Sequence, residues 1–168
     1  SSLAAMEQYY REWADPWERQ TLTRARLCSG DARLGRRVRR ILLTHAHSDH
    51  AGGLWLFPEV GVVLVHPKAR ARLEAEGVRA PWVEVDREVR LTLEGEEVRV
   101  LATGGGHTDG DLVALLPAHR LLIAGDLLNR GYEPLADPGY GGNLFTLGRT
   151  LQGLMALDFE RVVPGHGE

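Results

Sequence analysis

The chain has 168 residues, 43% hydrophobic and 26% charged, with a formal net charge of −3. A length of this order fits one domain, and such a domain buries about 70% of its unfolded surface, so a single globular unit over 1–168 is expected. The acidic balance argues against a nucleic-acid partner, since Arg37 and Arg39-Arg40 form only a short basic cluster. One cysteine, Cys28, excludes an internal disulfide. No apolar run approaches a membrane span. These features together predict a cytoplasmic protein and carry no signal for an oligomeric state.

In chain order, Leu3, Met6, Tyr9, Tyr10 and Trp13 fall at helical spacing, and their aromatics read as packing residues. Pro16 ends that helix or opens a second over 17–28. After Gly35 the pattern changes, and residues 38–44 read as a strand that runs into a histidine-rich segment. Gly52-Gly53 precede a short helix or turn near 54–57. Residues 61–65 are a β-branched run, expected as a buried strand, and Pro67 suits the first turn of a helix over 68–76. Strands are expected at 82–85, 89–93 and 96–101, then a loop at Gly104-Gly105-Gly106. Two more, 112–116 and 120–124, are joined by a turn at Pro117-Ala118-His119. Residues 127–145, rich in Gly, Pro, Asn and Tyr, read as a long loop, residues 146–157 as a helix, and 161–163 as a last strand. There is no internal repeat.

Imidazole and carboxylate are the ligands expected for zinc and related divalent metals. Five of the seven histidines stand just after an expected strand or at a glycine-flanked turn: His45, His47, His50, His107 and His166. The segment His45-Ala46-His47-Ser48-Asp49-His50 packs three imidazoles and one carboxylate into six residues. In extended chain His45 and His47 point the same way, while Asp49 and His50 fall where the chain turns, so one segment can serve two neighbouring metals. Gly106-His107-Thr108-Asp109-Gly110-Asp111, Ala124-Gly125-Asp126 and Pro164-Gly165-His166-Gly167 follow. Taken singly, each of these has an equally good structural reading, such as Asp126 capping a turn. Their order after the hexapeptide raises them together. Asp109 and Asp111 either orient His107 or shape its turn. His66 reads as structural and His119 as solvated.

This ordered set, His45-x-His47-x-Asp49-His50, then His107, Asp126 and His166, resembles the metallo-β-lactamase superfamily over roughly residues 38–168. The resemblance implies an α/β fold, a four-layer αββα sandwich with the metals at one edge of two sheets. It implies that His45, His47 and His107 bind one metal, that Asp49, His50 and His166 bind a second, and that Asp126 bridges them. Zinc is the expected ion, with iron or manganese as the others. Two metals about 3.5–4 Å apart can share a hydroxide and direct it at a carbonyl or phosphoryl centre; Asp49, as catalytic residue, would orient that nucleophile.

Aspartate at position 126, where the best-known β-lactamases of the superfamily have Cys or Ser, resembles the glyoxalase II, lactonase and phosphodiesterase branches. The expected activity is hydrolysis of an ester, thioester or lactone. The alternatives are a mononuclear iron sulfur dioxygenase of the same superfamily, a phosphodiesterase or β-lactam hydrolase, and a non-catalytic scaffold. No nuclease-type insertion fits between Asp126 and His166, and the chain runs only two residues past His166, so a glyoxalase-type helical domain is not expected. The family's opening hairpin and Asp-Thr-Gly-like turn are not matched by Ser29-Gly30-Asp31, so part of that hairpin is expected to be divergent or missing. In the 127–145 loop, Arg130, Tyr132, Tyr140, Asn143 and Phe145 are candidate substrate residues, each with a packed loop as its structural alternative.

Overall fold

The computed structural model describes residues 38–131 and 133–167. The helices expected over 3–28, Cys28 and the unmatched opening turn lie outside the described residues. The described chain runs β1 (Arg40–Leu42), α1 (Ser48–Ala51), β2 (Val62–Val65), α2 (Pro67–Ala75), β3 (Trp82–Glu84), β4 (Glu88–Leu93), β5 (Glu96–Ala102), β6 (Leu112–Leu116), β7 (Leu121–Gly125), α3 (Leu144–Met155) and β8 (Arg161–Pro164). Single 3-10 turns stand at Leu54–Leu56, Pro117–His119 and Pro138–Tyr140.

β1, β2 and β3 form a parallel three-stranded sheet, and β4 to β8 form a five-stranded sheet in sequential order. In the second sheet the pairs are antiparallel except β7–β8, which is parallel. Side chains alternate across a strand, and that alternation sorts the core into three layers of contact. Val63, Val65 and Leu43 face Ala69 and Leu73 of α2. Leu42, Val62 and Leu64 face Val98, Val100, Leu112 and Ala114 of the other sheet. Val113, Leu115, Leu122 and Ala124 face Leu147 and Leu154 of α3. The order helix, sheet, sheet, helix is the four-layer α/β sandwich expected above.

Most boundaries differ from the sequence reading by one or two residues, and three of the differences have a clear local reason. Arg120 does not open β7; it sits at φ 46° closing the 3-10 turn, with its N–H on Pro117 O at 3.0 Å. α3 starts two residues early because the Asn143 side chain accepts from the N–H groups of Phe145 and Thr146. It stops at Met155 because Ala156 and Leu157 tighten onto Gly153 O and Leu154 O, three residues back. Asn143→Ala is expected to lower stability by about 1 kcal/mol, the usual cost of a lost N-cap, read by denaturant unfolding. Among the described residues no helix is long and apolar enough to cross a membrane.

Candidate metal centre

The fold collects the ligands at one edge of the sandwich. The β1 ladder continues through Leu43 N–H to Leu64 O at 3.0 Å, and Leu112 N–H of β6 then bonds Thr44 O at 2.7 Å, tying the two sheets where the histidine segment begins. His45 is 1% exposed. His47 is the N-cap of α1, whose single turn rotates Asp49 and His50 away from it. His107 lies in the loop between β5 and β6, and Asp126 and His166 directly follow β7 and β8. Those two strands are parallel, with Gly125 opposite Pro164, so two residues forty positions apart leave the sheet side by side.

Two groups result. His45, His47, His107 and Asp126 form one, and Asp49, His50, Asp126 and His166 form the other; within each, one ligand atom per residue lies within 4.8 Å of all the others. In the first, His47 Nδ1 is 3.0 Å from His45 Nε2 and 3.0 Å from His107 Nε2. In the second, His166 Nε2 is 3.0 Å from Asp49 Oδ2 and 3.3 Å from His50 Nε2, which is 3.2 Å from the same Asp49 oxygen. Asp126 joins both: Oδ2 is 3.1 Å from His166 Nε2 and 3.5 Å from His107 Nε2, and Oδ1 is 3.1 Å from His50 Nε2. All seven expected ligands converge.

The donor set fits a cation. His107 Nδ1 is 2.8 Å from Leu135 O; a carbonyl only accepts, so Nδ1 carries the proton and Nε2 presents a lone pair. His47 Nε2 is 3.0 Å from the Asp137 carboxylate, which also only accepts when ionised, so His47 Nδ1 presents a lone pair. These two lone pairs face each other at 3.0 Å, an arrangement that neutral imidazoles hold against repulsion and a metal ion turns into coordination. Asp126 Oδ1 is moreover buried, with the His50 imidazole beside it at 3.1 Å.

The electrostatics divide the two groups. Burial, reinforced by the neighbouring His50, pushes His45 down to about 2, so it stays neutral and ligating. Burial also disfavours a charged His50, but hydrogen bonds to Asp126 and Asp49 outweigh it and push His50 up to about 9. Asp49 and Asp126 are likewise opposed by burial, yet the His50 hydrogen bond holds both below the usual carboxylate range. Without metal, a proton on His50 neutralises carboxylates that a dication would otherwise satisfy.

The other residues singled out in the sequence have varied surroundings. Asp111 accepts from Thr108 N–H and, at 2.5 Å, from Thr108 Oγ1; Asp109 pairs with Arg72 at 2.5 Å and Lys68 at 3.4 Å. Both shape the His107 loop. Tyr140 stands against His47 with ring centroids 4.3 Å apart. Arg130 is exposed, its N–H on His166 O at 2.9 Å. Asn143 is occupied as the α3 cap, Phe145 is 87% exposed, and Tyr132 lies outside the described residues. His66 caps α2 by accepting from Lys68 N–H, and His119 pairs with Glu96 at the surface. Sequence reasoning missed Asp137. An Asp-Pro step announces a turn, but nothing local ties it to a histidine 90 positions away.

A four-layer sandwich with clustered His and Asp ligands at one sheet edge defines a class of metal-binding α/β proteins. The chain belongs to the metallo-beta-lactamase superfamily, whose family model matches residues 29–166. It is 27% identical over 138 residues to a metallo-beta-lactamase type 2 of Bacillus cereus, covering 79% of this chain and 53% of that protein. The chain thus spans about half the length of that relative. Among solved structures it is similar to metallo-beta-lactamase IND-7, at 26% identity and TM-score 0.72 over 91% of this chain and 71% of that one. It is also similar to TTHA1623 in a di-iron-bound form, at 27% identity and TM-score 0.68 over 85% and 77%.

The N-terminus has a second likeness. Residues 1–41 match the family model of glutamate-ammonia ligase adenylyltransferase. A bifunctional glutamine synthetase adenylyltransferase/adenylyl-removing enzyme of Bifidobacterium longum is 57% identical over 35 residues, 21% of this chain and 3% of that protein. The two family-model matches overlap over residues 29–41.

Proposed function

We propose that this chain is a two-metal hydrolase of a small-molecule ester, thioester or lactone. The observation that carries the reading is Asp126, a carboxylate common to both ligand groups, at the position where β-lactamases of the superfamily have Cys or Ser. Bound divalent metals there supply Lewis acidity toward a substrate oxygen and a water acidic enough to ionise near neutral pH. The protein's own part is positional. His45, His47 and His107 hold neutral lone pairs on one side, and Asp49, His50 and His166 gather charge on the other. Asp49, 3.0 Å from His166 and 3.2 Å from His50, is placed to accept a hydrogen bond from the attacking water and fix its direction. Tyr140, beside His47, forms part of the wall on which the rest of the substrate rests.

The nitrogen and carboxylate donors suit zinc, iron or manganese; the di-iron form of TTHA1623 supports iron, while the name of the Bacillus cereus relative supports β-lactam turnover as the second reading. Elemental analysis of protein purified without chelator is expected to give two metals per chain, and a panel of thioesters, lactones, esters, phosphodiesters and β-lactams is expected to show its highest kcat/KM on the first three classes. One metal per chain, or a β-lactam preferred over every ester, overturns the reading. A single iron with oxygen uptake on a persulfide would replace it with sulfur dioxygenation.

A further inference from the structure

Asp137 lies outside the seven expected ligands, and its carboxylate is hydrogen-bonded to the imidazole of one of them, His47. It is also held on every side. Oδ2 accepts from His47 Nε2 at 3.0 Å and Oδ1 from Gly139 N–H at 2.8 Å. Its N–H donates to His107 O at 2.7 Å, and its carbonyl accepts from Gly142 N–H at 2.7 Å. The loop that carries it is pinned a second time, by Asp109 N–H on Tyr140 O at 3.0 Å, and Asp109 is itself clamped by Arg72 of α2 at 2.5 Å. Gly142 runs so close beneath His107 that a Cβ there would stand 2.0 Å from His107 O.

We propose that Asp137 is a positioning residue that selects the tautomer of His47 and thereby sets the metal affinity of the His45–His47–His107 group. The inference rests on the metal-binding reading above. An ionised carboxylate has no proton to give, so the Oδ2 contact obliges His47 to carry its proton on Nε2 and leaves Nδ1 free to ligate. Carboxylates placed this way commonly change metal affinity by about 10- to 100-fold.

The isosteric variant separates this role from a structural one. In Asp137→Asn, Gly139 N–H still requires an acceptor, so the amide oxygen stays on that side and the amide NH2 faces His47. That NH2 donates to Nε2, moves the imidazole proton to Nδ1, and places hydrogen where the ligand lone pair belongs. D137N is therefore expected to weaken the first metal group by about 10- to 100-fold with the second unchanged, and to do at least as much damage as D137A, which leaves either tautomer open. A purely structural Asp137 predicts the reverse order, with D137N near wild type.

The test is competition of zinc against a chromophoric chelator for wild type, D137N and D137A. It is paired with imidazole nitrogen NMR of the metal-free proteins at mildly alkaline pH, and with their melting curves as the fold control. Wild type is expected to show His47 protonated at Nε2, and D137N at Nδ1. An Nδ1–H tautomer in wild type overturns the proposal whatever the variants do. So does D137N binding like wild type, or equal weakening of both groups. The tautomer is read without metal, so a wild type holding one ion would defeat the two-metal function and leave this inference to its own result.

Discussion

Asp126→Ala is expected to empty both metal positions together and to lower kcat/KM by about 10²- to 10³-fold, the scale on which loss of a central electrostatic stabiliser is felt. Its Oδ2 lies 3.1 Å from His166, 3.5 Å from His107 and 3.9 Å from His45, and its Oδ1 3.1 Å from His50. No other side chain is shared by the two ligand groups. Removing it leaves three neutral imidazoles in one group and a single carboxylate in the other, and no anionic oxygen between them. Elemental analysis beside steady-state kinetics checks the result. A variant that retains one metal at wild-type occupancy would show two independent sites and count against a shared carboxylate.

Gly165→Ala is expected to fail at the same centre from the opposite direction, by crowding. A Cβ at Gly165 would stand 1.8 Å from Asp126 Oδ1 and 2.8 Å from the Gly125 carbonyl carbon. Neither neighbour can yield freely. The carboxylate is fixed between His50 and His166, each at 3.1 Å, and the backbone is held by Gly165 N–H on Gly125 O at 2.8 Å and Leu128 O at 3.1 Å. Overpacking of this kind costs about 1–3 kcal/mol, and the displaced carboxylate should take metal content down with it. Gly148→Ala is the matched control: it lies in α3 with nothing within 4 Å of the added atom. That change should stabilise by up to about 1 kcal/mol through helix propensity. Melting temperature and metal content, measured on both, separate crowding at the site from a general intolerance of alanine.

The convergence of the seven expected ligands was legible because the hexapeptide packs four of them into one segment and the other three follow it in order, each near a strand end or a glycine turn. The strand runs were legible for a related reason. β2 reads Val-Val-Leu-Val and β6 Leu-Val-Ala-Leu-Leu, continuous apolar runs that signal cover on both faces. β4, at the edge, alternates exposed and half-buried residues. What sequence could not convey was contact that depends on the path of a loop. Asp137 meets His47 only because residues 135–143 double back onto His107 through backbone bonds, which leave no side-chain pattern to read. Asn143 was visible as a polar loop residue and hence as a candidate for substrate, although its oxygen is committed to the α3 N-terminus. The first 28 residues were legible as helical spacing alone, and their likeness to a second family rests on residue identities that periodicity does not register.

The ligands are divided between the two sheets: His45, His47, Asp49 and His50 follow β1 of the first, and His107, Asp126 and His166 leave strands of the second. An ion held by both sets would add a cross-link between halves that meet through aliphatic contacts such as Leu64 against Val100 and Leu112, and through the Leu112 N–H bond to Thr44 O. Folding and ion uptake then draw on one free energy. At a free ion concentration a hundred times the dissociation constant the native state gains about 2.7 kcal/mol per independent site, a sizeable part of the 5–15 kcal/mol that keeps an ordinary domain folded. The persistence of the sandwich is thereby coupled to the metal supply of its surroundings, and starvation for the ion would act on the amount of folded protein as well as on its turnover.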